Sequence, residues 1–197
     1  MPVVTSVPES SALPTPVAPL IEGATVRLRP LREDDVPALV RNCRDEQAQR
    51  FVPVPLDYTT DDALTFLNHT VPDGWRDGTS HVFAVADPAG DTLLGTVGLH
   101  AFRATTADVG INLGPAARGR GIGTAACRVI IDYAVEGLGL RRLYWQAYVG
   151  NEPSLALARR LGFTFHAELP AFASLRGEPV DVWLLSLAAA DVPAAGA

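Results

Sequence analysis

Residues 114–124 read GPAARGRGIGT, with glycines at alternate positions 119, 121 and 123 and with two arginines. The preceding residues, DVGINL at 108–113, have the composition of a strand, and apolar residues recur at helical spacing over 122–136. Glycines let a ligand approach the backbone closely, and the N–H groups at a helix N-terminus attract anions. The stretch therefore predicts a strand, a phosphate-binding loop and a helix in that order.

Two common phosphate-binding patterns fit this loop poorly. The pattern G-x-x-x-x-G-K-[ST] would begin at Gly114, but Arg120 and Gly121 replace its lysine and its hydroxyl residue. The dinucleotide pattern G-x-G-x-x-[GA] is met by Gly121, Gly123 and Ala126, but it should follow its strand directly. Here PAARGR intervenes and no acid ends the next strand, so a nucleotide-binding oxidoreductase is the weaker alternative.

A third pattern, [RQ]-x-x-G-x-[GA], is met by Arg118, Gly121 and Gly123, and through it the sequence resembles the GNAT N-acetyltransferase superfamily. The stretch NEPSLALARRLGF at 151–163 resembles the second signature of that family. The opening ATVRLRPLREDD at 24–35 resembles the branch that acetylates ribosomal-protein N-termini. The resemblance extends over residues 21–188.

The rest of the chain predicts a single α/β (α+β) domain. Its 197 residues are 48% hydrophobic, which suits one well-packed domain. We expect a disordered tail at 1–20, the domain at 21–188 and a flexible tail at 189–197. A mixed, mostly antiparallel sheet with a splayed parallel pair, flanked by helices, is expected from the order of elements and from the resemblance. The predicted helices are 34–45, 60–72, 122–136 and 154–161; the predicted strands include a hairpin within 81–102, then 108–113, 143–149 and 180–187.

Charge and composition exclude several classes of function. A net charge of −6 argues against nucleic-acid binding, which usually needs a basic face. The chain has no apolar run long enough for a membrane span, and its proline-rich start differs from a signal peptide. The two cysteines, Cys43 and Cys127, lack metal-ligand spacing, so we expect buried thiols, no metal and a cytoplasmic protein.

The resemblance implies acetyl-CoA as co-substrate and a primary amine, either a peptide N-terminus or a small molecule, as acceptor. The amine would attack the thioester directly, in a monomer or a homodimer; a non-catalytic acyl-CoA sensor is the alternative. Backbone groups of Ile111 and Leu113 would hold the pantetheine arm, with an oxyanion donor near Leu113, and Asn151 would bond the arm or the strand edge. The pyrophosphate would lie on the loop residues Arg118, Gly119, Arg120, Gly121, Ile122, Gly123 and Thr124.

Catalytic residues are harder to predict. Ser154 is the predicted acid that protonates the leaving thiolate, since the ribosomal-type branch often has a serine there; it is equally suited to capping the following helix. A tyrosine acid, used in other branches, is absent, because Phe163 and Phe165 lie in that region. Glu168 is the predicted base, and the other titratable residues expected near the cleft are His81, His100 and Asp108. Acids that follow the first helix, which are candidates for attracting a cationic acceptor, are Asp57, Asp61, Asp62, Asp73 and Asp77.

Overall fold

The computed structural model describes residues 18–192, in which eight strands form one sheet of order β1-β2-β3-β4-β5-β6-β8-β7. Every neighbouring pair is antiparallel except β5 and β6, which are parallel. This confirms the predicted mixed, mostly antiparallel sheet. The strands are β1 (Ile21–Glu22), β2 (Arg27–Arg29), β3 (Ser80–Ala86), β4 (Leu93–Arg103), β5 (Thr106–Leu113), β6 (Arg142–Tyr148), β7 (Thr164–Leu175) and β8 (Glu178–Ala188).

Helices flank this sheet. They are α1 (Val36–Arg44), α2 (Glu46–Phe51), α3 (Thr60–Thr65), α4 (Val71–Asp77), α5 (Ile122–Asp132) and α6 (Glu152–Arg160). A π-helical turn, Phe66–Thr70, joins α3 to α4, and another, Tyr133–Gly137, extends α5. Among residues 18–192, no helix combines the length and apolar character that a membrane span requires.

The parallel pair separates after a short contact. β5 and β6 pair at Thr106 with Arg142, Ala107 with Leu143 and Asp108 with Tyr144, and no pairs follow although β5 continues to Leu113 and β6 to Tyr148. On its other side β5 stays paired with β4 as far as Leu113. The predicted splay is confirmed, and it leaves the backbone groups of residues 109–113 that face β6 without a strand partner.

Two apolar clusters hold the helices to the sheet. The larger includes Phe83, Leu99, Ile130 and Trp145 and packs α5 against the strands. The smaller packs α1 and α3 on the sheet through residues such as Leu39, Tyr58 and Leu93. Both cysteines are free and buried, as predicted.

Several boundaries differ from those predicted. The short helix α2 was not predicted; Asp45 begins it by accepting hydrogen bonds from the N–H groups of Gln47 and Ala48. The predicted helix 60–72 continues to Asp77, where Gly78 ends it with φ of 65°. One or two strands were expected after the last helix, without bounds for the first; the structure has both, and the first, β7, contains Pro170 and two register shifts. Of the predicted tails, residues 1–17 and 193–197 lie outside the described residues; residues 18–20 have no regular structure, and Ala189–Asp191 form a 3₁₀ turn.

Candidate active site

A cavity of about 960 Å³ opens where β5 and β6 separate. Its walls include residues 109–113 of β5, 145–148 of β6 and the N-terminal half of α6. On the opposite side it continues between α1, α2 and the loop that follows them. One space therefore joins the splayed strands to the helices and loops that precede β3.

The glycine loop lies between β5 and α5, and its residue Arg118 lines the cavity. Gly119 and Gly121 have φ of 70° and 78°, and a Cβ placed on either would meet no atom within 4 Å. Both therefore adopt the left-handed conformation that favours glycine and leave the approach to the loop open. Since Gly121 precedes α5, the N–H groups of Ile122, Gly123 and Thr124 lie in the first helical turn and lack intrahelical acceptors. The loop has the geometry of an anion site.

Gly123 has a different role from the other two glycines. A Cβ there would lie 3.3 Å from Leu113 Cδ1 and 3.4 Å from Leu157 Cδ2. Its missing side chain lets α5 approach both the end of β5 and α6. The loop and the splay are thus held close together by a packing contact.

Arg118 binds groups of the protein on both sides of the loop. Its Nη2 lies 2.7 Å from Asp45 Oδ2, and its Nε donates to the carbonyl of Leu113 at 3.0 Å. Burial disfavours the ionised form of Asp45, but Arg118 and two backbone N–H groups outweigh it and lower the pKa of that carboxyl. Arg120 is exposed and donates to the carbonyl of Ala116. Arg118 thereby ties the start of α2 to the end of β5.

Ser154 and Asn151 occupy the first turn of α6. The side-chain oxygen of Asn151 accepts a hydrogen bond from the backbone N–H of Ser154 at 3.3 Å, so Asn151 is the cap of this helix and Ser154 is not. Ser154 Oγ accepts a hydrogen bond from Trp145 Nε1 at 3.0 Å and lines the cavity. An indole N–H can only donate, so the serine proton remains available to a group in the cavity.

Among the four predicted base candidates, His100 and Asp108 line the cavity. They are opposite each other on β4 and β5, and His100 Nε2 lies 3.1 Å from the positions that Cβ atoms on Gly98 and Gly110 would take. The imidazole therefore covers both glycines at the splay. Desolvation lowers the pKa of His100, against an opposing effect of Asp108. Asp108 itself accepts hydrogen bonds from Arg103 at 3.0 Å and Gln146 at 2.6 Å.

The other two base candidates lie elsewhere. His81 stacks on Trp75 with ring centroids 3.9 Å apart, and its Nδ1 lies 3.2 Å from the Tyr133 hydroxyl. Glu168 is on β7, where its carboxylate accepts a hydrogen bond from Trp183 Nε1 at 3.0 Å. Neither residue is among those that line the cavity.

The candidate acceptor acids are mostly distant from the cavity or already paired. Asp73 and Asp77 both bind the exposed Arg76. Of the five, only Asp62 lines the cavity, and its Oδ2 accepts hydrogen bonds from the N–H and the hydroxyl of Thr59 in a capping box. Within residues 18–192 there is no cluster of three or more His, Cys, Asp or Glu side chains arranged to hold a metal ion.

Sequence reasoning missed three elements of the site. Trp145 was read only as part of a strand, and Asp45 and Tyr58 were not singled out. The chain offers a signal for Asp45, a capping residue followed by EQAQRF, but none for the Trp145–Ser154 contact. That contact depends on how the turn after β6 folds back.

Comparison with known proteins identifies the family. Residues 25–164 match the sequence profile described as "Acetyltransferase (GNAT) domain". The chain belongs to the GNAT acetyltransferase family. It is also 24% identical over 162 residues to the uncharacterized N-acetyltransferase p20 of Bacillus licheniformis, covering 81% of this chain and 90% of that protein.

Two further relatives relate the chain to ribosomal-protein acetyltransferases. A provisionally named ribosomal N-acetyltransferase of Bacillus subtilis, YdaF, is 42% identical over 74 residues, which are 36% of this chain and 40% of YdaF. A provisionally named ribosomal-protein-serine acetyltransferase from Vibrio cholerae superposes with a TM-score of 0.78 at 26% identity, covering 86% of this chain and 97% of that one.

Proposed function

We propose that the protein is an acetyl-CoA-dependent N-acetyltransferase that transfers an acetyl group to a primary amine. The observation that carries this proposal is the splay between β5 and β6 beside the N-terminus of α5. An amide-containing pantetheine arm suits a strand edge with free backbone groups, and a pyrophosphate suits the N–H groups of a glycine loop. Family membership, and the acetyltransferase activity for which the relatives are named, support the reaction class.

The residues proposed to hold acetyl-CoA follow from this placement. Ile111 and Leu113 would contribute backbone groups to the pantetheine arm, and Asn151 lies across the cavity from them on α6. Gly119, Gly121, Ile122, Gly123 and Thr124 would surround the pyrophosphate through their N–H groups. Arg118 and Arg120 would act at the margin, since Arg118 is already paired with Asp45.

The proposed reaction is one acyl transfer. The amine nitrogen forms a bond to the acetyl carbon, the carbon–sulfur bond breaks, and the proton lost by the nitrogen goes to a base while the thiolate takes one from an acid. Ser154 is the proposed acid because Trp145 leaves its proton free to donate. A backbone N–H near Leu113 would stabilise the oxyanion, the type of contact that contributes most to such reactions.

His100 is the proposed base, with Glu168 retained as the alternative. His100 lines the cavity at the splay, and its lowered pKa leaves it neutral and able to accept a proton near pH 7. Glu168 would need a rearrangement around Trp183 to reach the same space.

A glycine substitution tests the binding of acetyl-CoA. Gly121→Asp places a side chain and a negative charge in the loop, so we expect acetyl-CoA affinity to fall at least about 100-fold in calorimetry, a loss of about 2.7 kcal/mol. Gly139→Asp is the matched control, because Gly139 also has a left-handed φ of 68° with open space around it.

Two results would count against this proposal, the first against the binding site and the second against catalysis. Equal affinity in the wild type and in Gly121→Asp would remove the glycine loop from the binding site. Tight acetyl-CoA binding, with no CoA released in the presence of amines or N-terminal peptides, would favour the sensor alternative.

A further inference from the structure

The end of the cavity away from α6 has mainly apolar walls. We call this part the acceptor chamber; it lies between α1, α2, the loop after α2, α3 with its π-helical turn, and the facing strands β3 and β4. Its apolar lining residues are Leu39, Ala48, Phe51, Val52, Val54, Phe66, Val82 and Val97. Several of these side chains, including Leu39, Val82 and Val97, are buried.

The chamber has few charges for a cationic group to pair with. Asp62 of α3 is a lining carboxylate, and its hydrogen bonds to Thr59 reduce its availability. Asp108 lies at the splay, where it already binds Arg103 and Gln146. The other polar lining groups here, such as Gln47, Thr65 and Thr70, are uncharged, so a second ammonium group deep in this space would lose its hydration without gaining a carboxylate partner.

Tyr58 contributes a hydroxyl group to the chamber. Tyr58 is 4% exposed and lines the cavity. Burial, with smaller effects of Cys43 and Asp62, raises the pKa of Tyr58, so the hydroxyl stays protonated. It offers a neutral hydrogen bond to an occupant of otherwise apolar character.

Residues 51–55, which form one wall of the chamber, are bound by the turn between β7 and β8. Arg176, in the turn between β7 and β8, donates to the carbonyls of Gln49 at 2.7 Å and Val54 at 3.3 Å. Ala173 of β7 also lines the cavity. The apolar wall formed by residues 51–55 is therefore anchored and not a loose loop.

From these contacts we infer that the acceptor is a primary amine carried on an apolar group, with no second charge on that group. This inference rests on the proposed function, because it takes the chamber as the acceptor site. The apolar group would occupy the chamber and the amine would lie toward His100 and the splay. A polyamine such as the one that the Vibrio cholerae spermidine N-acetyltransferase binds would be a poor fit here, although that protein shares the fold at 20% identity and a TM-score of 0.70.

Two amines of equal size test the inference. Hexylamine and 1,5-diaminopentane have the same number of heavy atoms and differ only in a terminal methyl or ammonium group. We expect calorimetry at saturating CoA to give hexylamine an affinity at least about 30-fold higher, because an unpaired buried ammonium is costly. Tetrapeptides that begin with leucine or lysine repeat the comparison for a peptide N-terminus. Comparing hexylamine with the leucine peptide then shows whether a small amine or a peptide N-terminus binds more tightly.

A charged variant supplies the reciprocal test. Thr65→Glu adds a carboxylate at a lining position of α3, so we expect the preference for hexylamine to shrink at least about threefold. Thr60→Glu is the control, since Thr60 is exposed on the same helix and does not line the cavity.

Amine binding tests this inference, whereas CoA release tests the proposed function, so the two can fail separately. Equal or tighter binding of 1,5-diaminopentane, or no binding of hexylamine and the leucine peptide, would overturn the inference even if acetyl transfer occurs. The expected preference without any CoA release would support the inference and count against the proposed reaction.

Discussion

The hydroxyl of Ser154 accepts one hydrogen bond inside the protein, and we propose that it donates another to the leaving thiolate. Trp145 is nearly fully buried, and its N–H has a single partner, Ser154 Oγ. Asn151 caps α6 and so relieves Ser154 of that task. The indole N–H occupies one lone pair of the serine oxygen and leaves the serine proton free to donate elsewhere.

Replacing Ser154 tests this arrangement. We expect Ser154→Ala to lower kcat about 100-fold, the lower range for loss of a general acid, and to cost about 1–2 kcal/mol of stability because Trp145 loses its acceptor. Steady-state kinetics and thermal unfolding measure the two effects. Trp145→Phe is the control that removes the indole donor but keeps the serine, and its kcat should fall less. An unchanged kcat in Ser154→Ala would assign the serine to structure alone.

The pH dependence of kcat tests His100. Because desolvation lowers its pKa below the ordinary 6.5, kcat should rise with pH through an inflection below that value and then level off. Asp108 raises the pKa of His100, so Asp108→Asn should move the inflection to lower pH, and His100→Gln should remove it. Glu168→Gln should leave it unchanged. If Glu168→Gln abolishes the inflection and His100→Gln does not, Glu168 is the base.

At the scale of elements, β2 is joined to the start of α1 by a buried ion pair. Arg29 donates to both carboxylate oxygens of Asp35, at 2.7 and 2.8 Å, and both side chains are about 5% exposed. Arg29 also binds the side chain and the carbonyl of Asp91 in the turn between β3 and β4. This guanidinium therefore positions the first helix of the acceptor chamber relative to the sheet.

Breaking that pair should be costly. Asp35→Ala leaves Arg29 buried with only partial compensation from Asp91, and we expect a loss of about 3–5 kcal/mol in the free energy of unfolding. Asp73→Ala is the control, because its pair with Arg76 is exposed and should contribute less than about 1 kcal/mol. Chemical denaturation measures both variants; equal losses would mean that Arg29 finds another partner.

At the scale of the whole molecule, the sequence predicted those features that depend only on residues close together in the chain. The loop at 114–124 and the helix that begins at Ile122 were predicted, because glycine spacing and helical periodicity are local properties. The splay was also expected, but through the family resemblance and not through spacing. The contacts that select among the candidate residues were not predictable, since His100 meets Asp108 and Ser154 meets Trp145 only after the sheet has formed.

The roles of the acids between residues 57 and 77 were also unpredictable, because they depend on contacts that form only in the folded chain. Five acids between residues 57 and 77 suggested attraction of a cation, but the folded chain uses Asp73 and Asp77 to bind Arg76 and Asp62 to cap α3. The apolar chamber is assembled from segments as distant as Leu39 and Ala173. The apolar lining of the chamber is therefore not visible in any single stretch of the sequence.

The position of β8 between β6 and β7 has a consequence for biosynthesis. During translation β6 is made before β8, yet its antiparallel partner positions run from Val182 to Ala188. Until those residues leave the ribosome, the β6 edge that β8 will cover is exposed along its full length, and exposed strand edges invite pairing with other chains. A chain that ends before residue 182 therefore lacks the antiparallel partner of β6, so the β6 wall of the cavity is completed only when β8 is added.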